Sequence, residues 1–232
     1  MHLPENESHI WYFDIENVSK EIEFYTSFLV SDEVAKANKF KFAKDRAVSI
    51  LARAALRVLS GRYLNKSPKE IKINYGEYGK PYYEFPTPID FNLSHSGNYI
   101  AIAFARNSKV GVDIEKIKDD FDVVNIAENF FSSDEIQSLK EFSETNRPRA
   151  FYRCWTRKES FIKVKGSGLS FPLASFTTSL EEKYPKLLKT EWDPSEKEEW
   201  NLFSFEPSSG YIGALTVDKT IQSVKYFDKT VL

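Results

Sequence analysis

Trp155-Thr156-Arg157-Lys158-Glu159-Ser160-Phe161-Ile162-Lys163 is the stretch from which the rest of the chain can be read. It has the spacing of a helix whose inner face is marked by Phe151, Trp155 and Ile162. Glu159 lies four residues after Trp155 on that apolar stripe, and Lys163 stacks above it after four more. A surface helix keeps its charges on the opposite face. A carboxylate and an ammonium aimed inward cost free energy unless something inside pairs with them. The natural candidates for that partner are a metal ion and an anionic substrate.

Outward from this stretch, helical patterning spans 147–165, and an earlier helix is expected over 124–142. Ser31-Asp32-Glu33 opens a short helix as an N-cap followed by acids. The longest helix signal is Ala47, Ile50, Leu51, Ala54, Ala55, Val58 and Leu59, with Gly61 near its end. Strands are expected at His9–Ile15, Tyr99–Phe104 and Val110–Ile114, the last two as a hairpin across Asn107-Ser108-Lys109. Beyond Leu169, strand-like patches fall at 171–177, 202–205, 211–217 and 223–227. Helices and strands mix without a regular βαβ alternation or a visible repeat, so the fold class is α+β.

The bulk numbers narrow the function. The chain has 232 residues, 41% hydrophobic and 28% charged, with net charge −2, which argues against a dedicated nucleic-acid binder. One cysteine, Cys154, excludes an intrachain disulfide and a cysteine-based metal site. No apolar run approaches the roughly 20 residues that span a bilayer. The polar, acidic N-terminus is unlike a signal peptide, so the cytoplasm is the expected compartment.

Several residue groups can carry chemistry. In Gly111-Val112-Asp113-Ile114-Glu115, strand alternation sends Asp113 and Glu115 to one face and Val112 and Ile114 to the core. Paired carboxylates without nearby cysteine or histidine suit Mg²⁺ or Mn²⁺, and Glu159 is available as a third. Ser94-His95-Ser96-Gly97 can offer hydroxyls and backbone N–H groups to a phosphate. A hydrolase triad fits less well, because no G-x-S-x-G surrounds either serine. Gly79-Lys80-Pro81 holds a lysine in a shaped turn, although the chain has no P-loop. The basic cluster Lys36, Lys39, Lys41, Lys44, Arg46, Arg53 and Arg57 suits a small polyphosphate better than a duplex. In Phe130-Phe131-Ser132-Ser133-Asp134-Glu135, Glu135 is either a capping acid or a general base facing the metal site.

Taken in order, EYGKPY, FNLSHSG, VGVDIEK, FFSSDE and WTRKESFIKVKGSGLS resemble the Sfp-type 4′-phosphopantetheinyl transferases over about residues 36–177. The resemblance implies two similar α/β halves about a pseudo-twofold, residues 1–109 and 110–232, with coenzyme A in the cleft between them. It implies transfer of phosphopantetheine to a serine of an apo acyl or peptidyl carrier protein, with Mg²⁺ or Mn²⁺, by a monomer. By position, Asp113, Glu115 and Glu159 resemble the metal ligands, and Lys163 the lysine at the reacting phosphate. Ser94 and His95 resemble pyrophosphate contacts, Gly79, Lys80 and Pro81 the adenine-side turn, Lys36 and Ser49 the 3′-phosphate contacts, and Glu135 the proposed base. The chain departs from the pattern at Glu33, where a basic residue is common, with Lys39 or Arg53 as substitutes. It departs again in the acidic loop Asp119, Asp120 and Asp122. Ile117, Phe121, Val124, Phe130 and Phe131 are apolar residues that could receive the carrier, with core packing as the alternative and the expected role of at least Phe130 or Phe131. The rival readings are a non-catalytic module that binds coenzyme A or a carrier, and a Mg²⁺-dependent phosphohydrolase.

Overall fold

Residues 1–18 and 21–228 are described by a computed structural model of the chain. In chain order they form β1 (Glu7–Asp14), α1 (Ile15–Val18), α2 (Ile22–Thr26), α3 (Ser31–Ala37), α4 (Ala43–Leu64), β2 (Ile73–Tyr75), β3 (Pro81–Tyr83), β4 (Ile89–Ser96) and β5 (Tyr99–Arg106). There follow β6 (Val110–Lys116), α5 (Val123–Phe130), α6 (Ser133–Glu141), α7 (Arg147–Lys165), β7 (Phe176–Thr178), β8 (Leu187–Thr190), β9 (Trp200–Phe205), β10 (Tyr211–Asp218) and β11 (Ser223–Asp228). The α+β class read from the pattern is the architecture found.

One plan is used twice. In the first sheet β1 pairs antiparallel with β5, and β5 with β4; in the second β6 pairs antiparallel with β10, and β10 with β9. Each half thus places its first strand beside the last strand of its closing hairpin, with a long helix, α4 or α7, between. The predicted hairpin of β5 with β6 does not form. The two strands lie in different sheets, and the Asn107–Lys109 segment carries the chain from one to the other, with Asn107 at φ 51°. The last strand, β11, returns to pair in parallel with β1, so the sheet of the first half is finished by the end of the second.

Burial explains the long helices. Ile50, Leu51, Ala54, Ala55, Leu56 and Leu59 of α4 pack on Phe91, Ile102 and Phe104 of the first sheet. A fully buried leucine contributes roughly 1.5–3 kcal/mol, so this stripe outweighs propensity in fixing the helix. The predicted helix over 124–142 is two helices. Ser132 stops the first and caps the second, its side chain accepting from the Glu135 N–H. Most of the patch at 171–177 is tight turn, and strand begins at Phe176.

The two sheets meet along β4 and β6 without a backbone ladder. Alternate side chains of β4 bridge instead: Asp90 accepts from Val110 N, Asn92 from Val112 N, and Ser96 from Lys116 N. Their period of two puts all of them on one side of the strand. On its other side β6 is covered by α7, and Gly111 makes the approach possible. A Cβ there would overlap the Ser160 carbonyl oxygen and lie 2.6 Å from Val164 N.

Candidate active site

The seam between β4 and β6 delivers the first part of the site. Asp113 is buried, and its Oδ1 accepts from Ser94 Oγ at 2.8 Å and Lys163 Nζ at 2.7 Å. Lys163 Nζ also donates to Ser94 Oγ at 2.9 Å and to the Val112 carbonyl at 3.2 Å. Glu115, two residues along the same face, accepts from Ser96 Oγ at 2.6 Å. Helix α7 supplies Glu159 and Lys163, and its C-terminus closes at Gly166 in a left-handed conformation, φ 73°. The structure therefore brings Asp113, Glu115, Glu159, Lys163, Ser94 and Ser96 together.

The electrostatics are those of a crowded anionic cluster. Glu159 is pushed up to about 7 by burial and by the charges of Asp113 and Glu115, against the pull of Lys163. Glu115 is raised by burial and then by Asp113, with the Ser96 hydroxyl opposing. Among the described residues no group of three His, Cys, Asp or Glu side chains is arranged to hold a metal ion as it stands. The donor set nevertheless fits a hard cation. Asp113 Oδ2 is buried without a hydrogen-bond partner, and two carboxylates beside it are held toward the neutral form by burial and mutual repulsion. An added dication would satisfy the first and reverse the second.

The sign of the Glu159 shift has a measurable consequence. Its carboxyl binds its proton more tightly folded than unfolded, so stability falls as pH rises from about 4.5 through about 7. Bound Mg²⁺ or Mn²⁺ requires the charged form, so its affinity should rise over the same window, with proton release near pH 6 and little near pH 8. Calorimetric titration in buffers of different ionisation enthalpy checks this. Equal proton release at both pH values would contradict the assignment of Glu159 to the ion.

Two clefts flank the cluster and share Leu93. One, of about 370 Å³, is lined by Gly79, Lys80, Pro81, Glu159 and Lys163. The other, of about 550 Å³, is lined by Lys36, Ser49, Arg53, Tyr75, His95 and Gly97. A larger cavity, about 790 Å³, runs from Tyr82 to Trp200 and collects none of the predicted site residues. His95 is exposed at the cleft mouth; protein packed against its inner side, and then Lys163, lower its pKa, which keeps the imidazole neutral at pH 7. Gly97 turns with φ +58°, tight against Tyr211 and Lys116.

The acid at position 33 is explained by its neighbours. Arg57 grips the Glu33 carboxylate through Nε at 2.6 Å and Nη2 at 3.0 Å. Arg53 Nε also lies 3.4 Å from Glu33, but its Nη1 is buried without a partner, and its guanidinium lies 5.7 Å from the Tyr75 ring centre. Lys36 sits over the same ring at 5.1 Å. Glu33 thus shares the cleft wall with Lys36 and Arg53, its charge met by Arg57 and Arg53.

Glu135 is not brought to the cluster. It is 1% exposed, its Oε2 accepts from Ser132 N and lies 2.8 Å from Lys158 Nζ, and its Oε1 accepts from Thr178 N at 2.6 Å. The capping reading holds, and the reading of Glu135 as a base facing the metal site is corrected. Of the pair Phe130 and Phe131, in which at least one is expected to pack in the core, Phe131 is the buried one at 2% exposed, whereas Phe130 is exposed over Trp155. Residues missed in the sequence are Asp90 and Asn92, which continue the Ser94/Ser96 alternation along the seam; that period-two polar stripe is the signal that could have found them.

Comparison with known proteins gives the same picture over both halves. The 4′-phosphopantetheinyl transferase superfamily matches residues 109–216, and the family described as 4′-phosphopantetheinyl transferase, N-terminal, matches 16–107. The 4′-phosphopantetheinyl transferase ffp of Bacillus subtilis is 37% identical over 173 residues, 74% of this chain and 75% of its own. Sfp of Bacillus subtilis strain 168 is 33% identical, over 74% of this chain and 75% of its own. HetI of Nostoc is 29% identical over 93% of this chain and 89% of its own. With both halves matched and the carboxylate cluster at their junction, the chain belongs to the Sfp-type 4′-phosphopantetheinyl transferase family.

Proposed function

We propose that this chain transfers the 4′-phosphopantetheine group of coenzyme A to a serine hydroxyl of an apo acyl or peptidyl carrier protein, releasing 3′,5′-ADP. The observation that carries the reading is the convergence of Asp113, Glu115, Glu159 and Lys163 on the seam between the two halves, flanked by two clefts. The halves are residues 1–109 and 110–232, with β11 strapping the second to the first. One chain supplies both sides of the cleft, which favours a monomer. Among the described residues no helix is long and apolar enough to cross a membrane, and the cytoplasm is the compartment we assign.

Asp113, Glu115 and Glu159 would hold Mg²⁺, with Mn²⁺ as a substitute. When bound, the ion neutralises and orients the pyrophosphate. Lys163, now shared between Asp113 and Ser94, stabilises charge on the departing phosphate. Neutral His95 donates to the pyrophosphate, the Ser94 and Ser96 hydroxyls turn to it from the carboxylates they now hold, and the Gly97 turn lets its backbone approach. Gly79, Lys80 and Pro81 shape the adenine side. Lys36, Ser49 and Arg53 take the 3′-phosphate. The carrier rests on Ile117, Phe121, Val124 and exposed Phe130, and its serine attacks the phosphorus that bears pantetheine. A general base would add about 10²–10⁴-fold, but Glu135 is not placed to supply it, and solvent at the open mouth takes the proton.

Incubation with an apo carrier, coenzyme A and Mg²⁺ should raise the carrier mass by roughly 340 Da, a small group on one serine. Free phosphopantetheine with unmodified carrier would show a hydrolase, and no reaction a binding module. Lys163→Ala should lower kcat by about 10²–10³-fold while the KM for coenzyme A changes far less. An unchanged turnover number would remove Lys163 from the chemistry.

A further inference from the structure

Glu159 accepts no hydrogen bond among the described residues, unlike Asp113 and Glu115, which are steadied by Ser94 and Ser96. Its placement depends on how α7 is held. One side of α7 is fixed by its backbone contact with Gly111. The other is fixed by the residue before Glu159. Lys158 is fully buried, and its ammonium donates to the Leu173 carbonyl at 2.8 Å and the Phe176 carbonyl at 2.6 Å, and pairs with Glu135 Oε2 at 2.8 Å. Those acceptors use all three donors of an ammonium. The Phe176 ring lies 4.1 Å from it. Glu135 is equally committed, to Ser132 N, Thr178 N and Thr178 Oγ1 as well as Lys158.

We infer that the buried Glu135–Lys158 pair is a positioning device. It ties the start of α6, the 173–178 segment and α7 into one unit, and so sets the direction in which Glu159 is presented to the cation. Glu135 therefore acts through Lys158 and α7, and takes no proton from the carrier serine. The geometry gives a direct argument. A base needs a free lone pair within reach of its substrate, whereas both oxygens of Glu135 are occupied by buried donors and its side chain has no exposed surface. A buried ion pair of this kind is a weak source of stability but a strong orientational constraint, because either partner alone would be an uncompensated buried charge.

The inference rests on the transferase reading, and its test separates the two. Mn²⁺ binding to the full-length enzyme, without carrier or coenzyme A, is measured by electron paramagnetic resonance for the wild type, Glu135→Gln, Lys158→Met, and the double variant Glu135→Leu/Lys158→Met. Positioning predicts that Glu135→Gln weakens Mn²⁺ binding about 10–100-fold, the range for groups that orient a ligand. At saturating Mn²⁺ its kcat should recover to within about tenfold, because no proton-transfer group has been lost. The double variant, an apolar pair of similar volume, should bind Mn²⁺ more tightly than Lys158→Met and melt at a higher temperature. Should single variants fail to fold, the double variant still decides the matter. Wild-type Mn²⁺ affinity together with a kcat lowered about 10²–10⁴-fold, in either Glu135→Gln or the double variant, would restore Glu135 as the base and overturn the inference. Absence of Mn²⁺ binding by the wild type would instead overturn the metal assignment on which the inference stands.

Discussion

Glu159→Gln should abolish metal-dependent transfer and yet leave the protein more stable at alkaline pH. The two halves of that expectation share one cause. In the free protein Glu159 is partly buried beside Asp113 and Glu115, and its carboxyl is pushed up to about 7. A carboxyl so shifted is at its most favourable when neutral, and glutamine keeps it neutral at every pH. Above about pH 7 the variant therefore escapes the cost of burying that charge and its repulsion by Asp113, a gain of at most about 3 kcal/mol. Below about pH 4.5 both proteins carry a neutral group and the gain vanishes. Catalysis moves the opposite way, because the charge that strains the cluster is what would hold the cation. Loss of about 4 kcal/mol of charge stabilisation corresponds to about 10³-fold in rate. Thermal melts at pH 5 and pH 8, with transfer followed by carrier mass, read both effects. Transfer within about tenfold of wild type in Mg²⁺ would sink the role of Glu159, and a lower melting temperature at pH 8 would sink the electrostatic account.

How far the site is legible from sequence depends on the range of the interaction that makes each part. Glu159 and Lys163 are four residues apart on one helix, and Asp113 and Glu115 two apart on one strand, so local periodicity fixes their directions without any tertiary contact. The junction that joins the two pairs is not local. It depends on β4 meeting β6 through side chains, a contact that substitutes for the hairpin expected between β5 and β6. Neighbouring strands in sequence usually pair, and two apolar segments separated by a short turn carry no sign that the turn changes sheets. The doubled topology is hidden for a related reason, since β1, β5, β4 and β6, β10, β9 share an order of pairing rather than a string of residues. Glu135 shows the limit from another side. Ser132 and Glu135 have the spacing of a capping box, and the structure contains that box. What commits the second carboxylate oxygen is Thr178, more than forty positions on. Lys158 would ordinarily be placed at the surface of an amphipathic helix, and carbonyls at 173 and 176 are what draw it inside.

Gly111→Ala should damage the enzyme as severely as loss of a ligand, although residue 111 lines neither of the clefts that flank the cluster. The added methyl would overlap the Ser160 carbonyl oxygen, and it would stand 2.6 Å from Val164 N and 3.2 Å from Lys163 C. All of these are backbone atoms of α7, so no side chain can swing aside, and the helix itself must move away from β6. Overpacking of this kind costs typically about 1–3 kcal/mol. The helix carries Glu159 and Lys163, whereas Asp113 and Glu115 stay with the strand, so the displacement opens the cluster along its middle. A shift of about 1 Å in a reacting group can cost about 10²-fold. The loss should appear in kcat and in Mn²⁺ affinity together, and the Lys163–Asp113 contact of 2.7 Å should lengthen. Lys36 and Ser49, proposed above to take the 3′-phosphate of coenzyme A, belong to the other half, so retention of coenzyme A should change least. A folded Gly111→Ala protein with wild-type Mn²⁺ affinity and turnover would show that α7 reaches its place by some constraint other than its contact with this strand.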